Sequence, residues 1–581
     1  MRRHAFHLVL LSTFFLLLSS VKSAAQSDST GPLIEGRAVW AHPSSVAFND
    51  SATVAFVEHC RKANIDLIIL LVEFSDKQVY YHSRKFPETL VPAFKDFDPL
   101  AAVIREAHKR GIHVHAWLCD FTESADGPVM QNHPEWAMRN PDGKTSSQAE
   151  FLGAGAPYRI NWMCPARRPG YTDEWLLPMI EEIVSDYDVD GIHHDYVRYP
   201  GDVAPDSYCF CDYCLDEMLK FAHLYYESFP DSIFPVTPTL PNGEANWWSD
   251  PTVKPSGWDQ WDRKRKADFF LKGSFMKGGP SDMDYFFYTY RQEAIHRFVR
   301  EAWERASAIK PNIEFSAAVF KNPITSGRFI GQQWTELAPW VDVMMPMVYR
   351  SHFPSTDFET FLKMLEEYTR YEYRWAKGRT HLSVGLDVHS IYNEERFFLS
   401  DALHLTDSLS SVPGTRRRAY VQRLRTRFSL VRDHLSRIAP DLESQLASAF
   451  SALPNLAGDR LAELQQAVTS MNANPPEDYY PREKLRRAIE AVRKGGGNGI
   501  VIFDAWGLTS RNLWPLLEDL FKESSIEPYR VGPAPQMSIA RVKMNRQRLE
   551  AAQRGLWILG GVTVLLLATL ALIAWKSRSA T

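Results

Sequence analysis

The sequence has few cysteines and almost no excess charge, and these two shortages exclude several classes of protein. Six cysteines in 581 residues are too few for a scaffold held together by disulfides. A net charge of -4, from 66 Lys and Arg against 70 Asp and Glu, gives no general electrostatic reason to bind nucleic acid. The patterns GxxxxGKS/T, GxGxxG and HExxH are also missing, so no phosphate loop, dinucleotide-binding turn or zinc-protease helix is indicated.

Hydrophobic residues make up 45% of the chain, which is enough to bury a large core, and no internal repeat or low-complexity tract is present. At roughly 100–200 residues per domain, the length suggests several domains. Aromatic residues reach 13%, with 17 Trp. Their rings fill ordinary cores and also stack on sugar rings, so composition alone leaves both uses open.

Both ends of the chain are expected to lie outside the folded part. A positive start, an apolar run over residues 7–20 and small residues at 23–25 predict a secretory signal peptide over 1–25, with an uncleaved anchor as the alternative. Residues 556–575 carry no charge and have Trp557 and Trp575 at their edges. Their length crosses a hydrocarbon core of about 30 Å, which predicts a transmembrane helix; a buried soluble helix is the alternative.

The two terminal segments predict an extracytoplasmic protein, periplasmic or at the cell surface, with a short cytoplasmic tail at 576–581. The basic residues in the preceding stem, 531–555, favour the opposite orientation by the positive-inside rule; they are Arg541, Lys543, Arg546, Arg548 and Arg554. A signal peptide commits the long domain behind it to export, regardless of the positive charge of this stem. We therefore expect the stem on the outer membrane face, where anionic lipid can attract it.

Between the ends, eight short apolar runs alternate with segments of helical period. They cover residues 37–43, 65–74, 111–121, 189–200, 314–320, 341–349, 381–389 and 499–506. Eight strands alternating with helices are typical of an α/β fold of the TIM-barrel type, a (β/α)8 barrel, here predicted over 33–530. A doubly wound sheet, usually of five to seven strands, is the alternative.

Two connections are much longer than a strand-to-helix link requires. They predict insertions at about 201–313, rich in Trp, Pro and Asp, and at about 390–498, which contains helical segments at 415–434 and 442–471. Both follow strands, so both are expected to rise from the C-terminal rim, where active sites of such barrels lie.

Alternation along the strands assigns side chains to the two faces of the barrel wall. In the third strand Val114, Ala116 and Leu118 should face the helices, whereas Trp117 and Cys119 should face the lumen. The seventh strand alternates likewise and sends Asp387 inward, and the fourth strand sends His193 and Asp195 inward. An inner face that carries His and Asp near its top predicts a polar pocket.

Several acidic residues end predicted strands, namely Glu73, Asp120, Asp195, Asp387 and Asp504. Hydrolysis of a glycosidic bond uses two carboxyl groups flanking the bond, about 5–5.5 Å apart for retention and about 6.5–9.5 Å apart for inversion. Asp195 is the best placed, because it ends a strand between aromatic neighbours. The alternative is a structural salt bridge between Asp195 and Arg198.

Several segments together resemble the glycosyl-hydrolase-like family 10 group (DUF187). They are DGIHHDYVRYP at 190–200, HAWL at 115–118, AHKRGI at 107–112, PMVY at 346–349, RAVW at 37–40 and SDKQVYYHS at 75–83. The resemblance implies a (β/α)8 barrel in an exported protein similar to polysaccharide-cleaving enzymes, some of which act on peptidoglycan strands stripped of peptides. It supports Asp195 as a catalytic carboxylate. One departure is Cys119, where Asn usually follows HAWL.

The partner of Asp195 is not fixed by any of these motifs. We expect Asp387 first, because the fourth and seventh strands face each other across the mouth, and Glu73 second. Asp195 as general acid/base with Asp387 as nucleophile would give retention, and the reversed roles stay open. The predicted substrate-binding residues are Trp40, Trp117, His193, Arg198, Tyr349 and Trp506, through ring stacking and contacts to hydroxyls or carboxylates.

Three cysteines, Cys209, Cys211 and Cys214, lie within six residues after the fourth strand. With Cys164 as a fourth ligand they could form a tetrahedral zinc site. A disulfide from Cys209 or Cys211 to Cys164 is an equal alternative in an oxidising compartment, and unlinked thiols are a third. In the first two cases we expect a structural staple for the insertion.

The sequence thus predicts a glycoside hydrolase of the cell envelope that acts on a polysaccharide and requires no cofactor; a structural zinc ion is one of the alternatives for the four cysteines. The alternatives are a non-catalytic glycan-binding barrel and a surface scaffold for protein partners. Expected partners are the polysaccharide and the membrane, with no nucleic acid. The sugar, the linkage and the oligomeric state stay open.

Overall fold

The computed structural model describes residues 32–74, 78–149, 160–227, 253–272, 283–353, 357–408, 414–453, 459–548 and 550. Their framework is a closed barrel of eight parallel strands. In chain order the strands are β1 Gly36–Ala41, β2 Leu67–Glu73, β3 His113–Cys119, β4 Gly191–Asp195, β5 Glu314–Phe320, β6 Val343–Met347, β7 Val384–Asp387 with its leading piece His381–Leu382, and β8 Gly499–Phe503.

The barrel closes because β8 pairs with β1 and each of the other strands pairs with its neighbours in chain order. Ile500 lies opposite Arg37 at the closing seam, in parallel register. The eight predicted strands and the (β/α)8 architecture are therefore confirmed, and a doubly wound open sheet is excluded. In this order β7 lies three strands from β4, and β8 lies directly opposite β4.

The faces of the wall follow the predicted alternation. Val114, Ala116 and Leu118 pack in the large core between the strands and the helices, whereas Trp117 and Cys119 pack inside the lumen. β2 is buried along its whole length, as expected for a parallel strand covered on both faces. The lumen is thus a packed core, and within it His115 and His193 both contact the Ser316 hydroxyl.

The main helices enclose this wall. They are α1 Asp50–Lys62, α2 Pro99–His108, α3 Leu177–Asp186, α4 Asp212–Glu227, α5 Arg263–Lys272, α6 Asp284–Ile309, α7 Phe358–Ala376, α8 Asn393–Ser408, α9 Gly414–Ile438, α10 Pro440–Ala452, α11 Asp459–Ala473, α12 Arg482–Lys494 and α13 Trp514–Leu520. Side chains cap several of them; Asn49 and Asp98 accept backbone N–H groups at the starts of α1 and α2.

Shorter elements line the rim and the base. The short helices are Pro43–Val46, Pro128–Asn132, Thr172–Leu176, Thr325–Ile330, Trp334–Leu337, Val388–Ile391, Ala505–Ser510 and Pro528–Val531, with single turns at Pro87–Thr89, Pro92–Phe94, Pro134–Trp136, Trp258–Gln260 and Arg350–His352. Thr122–Ser124 pairs antiparallel with Ile160–Trp162 on the rim, and Leu33–Ile34 pairs with Ser525–Ile526 at the base.

The connection between β7 and β8 builds a helical unit from α8 to α11. These helices share a core of their own, in which Leu446 is fully buried and Phe428 packs edge to face on Phe450. Tyr479, in the chain that follows α11, connects back to the start of α8, because its hydroxyl donates to the carbonyl of Glu395. The unit therefore has a hydrophobic centre separate from the barrel.

The base of the barrel is closed by the segment after β8. Tyr529 packs inside the lumen, its hydroxyl donates to Glu314 at 3.0 Å, and Arg530 binds the same carboxylate at 2.9 Å. His115 contacts Glu314 from the lumen at 2.9 Å. Within the described part of the chain, these contacts therefore fill the lumen at the N-terminal ends of the strands.

Part of the basic stretch that the sequence predicts beside lipid contacts the base of the barrel. In the helix at 535–548, Arg541 pairs with Asp342 at 3.0 Å, and its guanidinium lies 5.0 Å from the Trp303 ring. Arg548 also lies over Trp303 and donates to the carbonyl of Glu304. These two charges are satisfied by the protein itself.

The predicted signal peptide, 1–25, and the predicted transmembrane helix, 556–575, lie outside the described residues. Among the helices of the described ranges, none combines the length and the apolar character that a membrane crossing requires.

We predict that Leu446→Ala destabilises the helical unit by about 2–5 kcal/mol, because the truncation leaves a cavity in its core. Leu430→Ala is the matched control, since Leu430 in α9 is 55% exposed; its effect should stay within about 0.5 kcal/mol. Scanning calorimetry of both variants measures the change in Tm. Equal losses of Tm would contradict the assignment of this core.

Candidate functional site

Asp195 ends β4 on the lumen face, in register with Cys119 of β3. Its Oδ1 accepts the Tyr196 N–H at 2.7 Å, and the guanidinium of Arg198 lies 3.6 Å from the same oxygen. Burial raises the pKa of Asp195, and the charge of Arg198 and the Tyr196 amide offset only part of this effect. The result is a carboxyl group at the mouth that holds its proton more strongly than a free aspartate.

The contact between Asp195 and Arg198 also means that the predicted salt bridge is present. Arg198 nonetheless has more than one neighbour: its guanidinium carbon lies 4.3 Å from the Tyr196 ring centre and 4.8 Å from that of Phe320. Its Nε and Nη1 make no hydrogen bond with any described residue, although both atoms are buried. Arg198 therefore keeps donor groups free at the mouth.

Asp387 ends β7, in register with Phe503 of β8. It is 9% exposed, as Asp195 is. It caps the short helix Val388–Ile391, and its Oδ1 accepts the His389 N–H at 2.8 Å. The structure therefore brings a second carboxylate to the C-terminal mouth of the barrel.

Tyr349, just after β6, connects the two carboxylates electrostatically. Burial raises the pKa of its hydroxyl well above the usual value, and the charges of Asp387 and then Asp195 raise it further. Gly385 makes room for this ring, since a Cβ there would lie 3.2 Å from Tyr349 and 3.1 Å from the carbonyl of Pro346. Tyr349 consequently keeps a neutral hydroxyl that interacts electrostatically with both acids.

Glu73 does not share this position. The register shifts after Leu71, so that Glu73 pairs with Leu118, whose side chain faces the helices. Glu73 is fully buried, and its Oε2 accepts the Cys119 N–H at 3.1 Å. The expectation that Glu73 is an alternative partner for Asp195 across the lumen does not fit this geometry, because the irregularity turns its side chain into the wall.

Trp40, Trp117 and His193 lie in the lumen beneath the mouth. Trp40 donates its indole N–H to His193 Nε2 at 3.0 Å, and the other ring nitrogen of His193 contacts Ser316 at 2.8 Å. With both nitrogens bonded and no exposure, His193 has no atom to offer a substrate, contrary to the prediction. Trp40 and Trp117, at 1% and 3% exposure, form the floor of the site.

Trp506, by contrast, is 49% exposed and stacks on His389, with ring centres 5.4 Å apart. His389 is held from the other side by Asp504, whose Oδ1 lies 3.1 Å from its Nε2. Burial opposes ionisation of Asp504, but the bonds from His389 and the Gly507 N–H outweigh it and lower its pKa. Sequence reasoning gave no role to His389; its signal was the Asp-x-His spacing from Asp387.

A cleft of about 620 Å³ opens beside Asp195. The cleft lies over the ends of β4 and β5. Its volume is typical of ligand sites. Its aromatic and charged walls include Trp162, Tyr196, Arg198, Phe320, Lys321 and His352. Trp162 is two residues before Cys164 and was not singled out from the sequence, because only the rim hairpin brings it to the mouth.

Asp120 is a structural acid. It is fully buried and pairs with His194 Nδ1 at 2.9 Å on the helix side of the wall, where His194 contacts Phe298 and Phe315. Burial raises its pKa to about 6.

The four cysteines predicted to act together are adjacent. Sγ atoms of Cys164, Cys209, Cys211 and Cys214 all lie within 4.8 Å of one another, and all four residues are buried. No disulfide joins any of the six cysteines, all of which fall in the described ranges.

We predict that Trp40→Phe destabilises the protein by about 1–3 kcal/mol, because it leaves His193 Nε2 buried without its donor. Trp506→Phe serves as the control, since half of that side chain is exposed and its effect should be within about 0.5 kcal/mol. Thermal unfolding followed by circular dichroism compares the two. A larger loss of Tm in the Trp506 variant would contradict the placement of Trp40 as floor.

Parts of the chain are similar in sequence to known proteins. Over 113 residues the chain is 27% identical to the glycosyl hydrolase YngK of Bacillus subtilis (strain 168). This match covers 19% of this chain and 20% of that protein. It is 24% identical over 198 residues to the glycosyl hydrolase DigH of Escherichia coli (strain K12), covering 30% and 40%. The chain thus spans only a fifth to two fifths of these relatives' lengths.

Among solved structures, the glycoside hydrolase domain of PgaB (BpsB) from Bordetella bronchiseptica is 12% identical, with a TM-score of 0.48 and coverage of 85% of this chain and 99% of that one. Residues 42–383 match the family described as "Putative glycosyl hydrolase domain" (DUF4015). The expectation of a glycosyl-hydrolase-like family is confirmed, and the narrower family 10 label stays a prediction. Since the match extends over more than half of the chain, the protein belongs to this glycosyl hydrolase domain family.

Proposed function

We propose that the protein is a glycoside hydrolase that cleaves glycosidic bonds of a polysaccharide, with peptidoglycan glycan strands as the first candidate. The observation that carries the proposal is that the buried carboxyl group of Asp195 ends β4 and that Asp387 ends β7 at the same mouth of the barrel. Two carboxyl groups at one mouth are what hydrolysis of a glycosidic bond requires.

Asp195 has the environment of a general acid. Burial raises its pKa, so that it can remain protonated at a pH where an exposed aspartate is ionised. In the first step it would give this proton to the glycosidic oxygen as the bond to the anomeric carbon breaks. Asp387 would attack that carbon or activate a water, and the first choice, attack, gives retention.

The cleft beside Asp195 would hold the saccharide. Its aromatic wall suits the apolar faces of sugar rings, and the free Nε and Nη1 donors of Arg198 suit hydroxyls or carboxylates. Trp506, exposed on the other side of the mouth, offers a further stacking surface. Trp40 and Trp117 would support this surface from below.

We also propose that the protein works outside the cytoplasm, anchored by its C-terminal segment, with the polysaccharide as its partner and without nucleic acid. The support is the sequence pattern of the two ends together with a substrate class found in cell envelopes. The two-carboxylate reaction needs no cofactor.

The decisive test is release of saccharides from peptidoglycan lacking stem peptides, with other envelope polysaccharides in parallel. Asp195→Asn should lower the rate by about 10²–10⁴, the usual contribution of a general acid. Asp188→Asn is the matched control, because Asp188 is exposed at the opposite end of the same strand and pairs with Lys310. It should retain full activity.

Binding and cleavage separate the competing functions in that assay. A wild-type protein that retains the glycan without cleaving it would support a glycan-binding barrel instead. Unchanged release by Asp195→Asn would remove Asp195 from the mechanism. Nuclear magnetic resonance of the first product gives its anomeric configuration and tests the nucleophile role of Asp387.

The pH profile supplies a separate prediction. A general acid must be protonated, so kcat/KM falls as the pH rises through the pKa of Asp195. The positive charge of Arg198 lowers this pKa. Arg198→Gln should therefore move the basic limb upward, by about one pH unit or more. Arg198→Lys keeps the charge and should leave the limb near its wild-type position; a downward shift in the Gln variant would contradict the assignment.

A further inference from the structure

The four adjacent cysteines form a buried sulfur cluster at the barrel rim. Cys164 Sγ lies 3.3 Å from Cys214 Sγ and 3.9 Å from Cys211 Sγ, and none of the four residues is more than 3% exposed. Four thiolates around a zinc ion at about 2.3 Å would lie about 3.8 Å from one another at the corners of a tetrahedron. The cluster has this size without any rearrangement of the chain.

The mutual proximity of all four sulfurs distinguishes the alternatives. Two disulfides would require a short distance only within each pair of bonded sulfurs. They would place no condition on the distance between one pair and the other. A single central ion requires all six pairwise distances to be short, and all of them are below 4.8 Å. The hard oxygen-ligated cations Ca²⁺ and Mg²⁺ do not suit four sulfurs, whereas zinc does.

The cluster lies beside groups that carry positive charge or donate hydrogen bonds. Cys211 immediately precedes α4 and Cys214 is in its first turn, so both sulfurs lie at the positive end of the helix dipole. Tyr290 donates its hydroxyl toward Cys214 Sγ at 4.0 Å. The buried guanidinium of Arg291 interacts electrostatically with Cys209. These groups can offset part of the negative charge that four thiolates leave on a zinc ion.

We propose that Cys164, Cys209, Cys211 and Cys214 bind one zinc ion as a closed structural site. The site would join the two rim connections that flank β4. Cys164 belongs to the β3–β4 connection, directly after the strand Ile160–Trp162, and the other three open the β4–β5 connection. The ion therefore links the segments on both sides of the strand that carries Asp195.

This link would fix one wall of the cleft. Trp162, two residues before Cys164, packs 5.8 Å from the Tyr196 ring and lies 5.5 Å from the Arg198 guanidinium. The ion would reinforce the packing and the hydrogen bond from the Phe210 N–H to the Arg139 carbonyl, which already join the β3–β4 connection to the chain that leaves β4. The zinc site would thus be a positioning device for the cleft, and it stands whether or not the protein hydrolyses its glycan.

The test measures metal and thiols in the full chain purified without reductant. Mass spectrometry of the metal content should find one zinc per chain in the wild type and in Cys60→Ala, and none in Cys214→Ala. Cys60 is the matched control because it is also a buried cysteine, but it lies in α1 outside the cluster. Denaturation in chelator should then expose all six thiols of the wild type.

The wild type alone also decides the question if Cys214→Ala fails to fold. Growth with Co²⁺ should give the visible bands and the thiolate charge-transfer band of tetrahedral cobalt bound to four sulfurs. Chelation should lower the Tm of the wild type and of Cys60→Ala equally. Fewer than six thiols without zinc would establish disulfides and overturn the proposal; six thiols without any metal, or a cobalt spectrum lacking the thiolate band, would overturn it as well.

Discussion

The pairing of β8 with β1 is the constraint on which the rest of the molecule depends. It turns eight strands into a ring without an unpaired edge, and each strand then presents alternate side chains to a common lumen. Because all strands run in the same direction, their C-terminal residues meet at one mouth. Asp195 and Asp387, 192 positions apart in the numbering (387 − 195), come to the same opening for this reason alone.

The features that follow from periodicity could be predicted from the sequence. All eight strands follow from short apolar runs, and the inward or outward direction of Trp117, Cys119 and Asp195 follows from alternation. The helices of the second insertion were likewise expected, although their separate core was not. Hydrophobic periods of two residues for strands and of three to four residues for helices are local features of the sequence. They predict the structure correctly where the packing agrees with them.

What alternation could not give is any feature that depends on an irregularity or on contacts between distant strands. Glu73 was expected as the second choice of partner for Asp195, and a register shift of β2 against β3 turns it into the wall. His193 was expected to meet substrate, and Trp40 and Ser316 occupy both of its nitrogens. The group formed by His389, Asp504 and Trp506 depends on contacts between the ends of β7 and β8, which the Asp-x-His spacing after Asp387 does not reveal by itself.

The closed base has a consequence for how a polymer can meet this protein. Tyr529 and Arg530 seal the lumen on Glu314, so no glycan can thread through the ring; a long strand must lie across the mouth or insert only its end. The helix at 535–548 leaves from that same sealed side, held by Arg541 on Asp342. The last described residues therefore lie at the base, at the opposite end of the barrel from the mouth that carries Asp195 and Asp387.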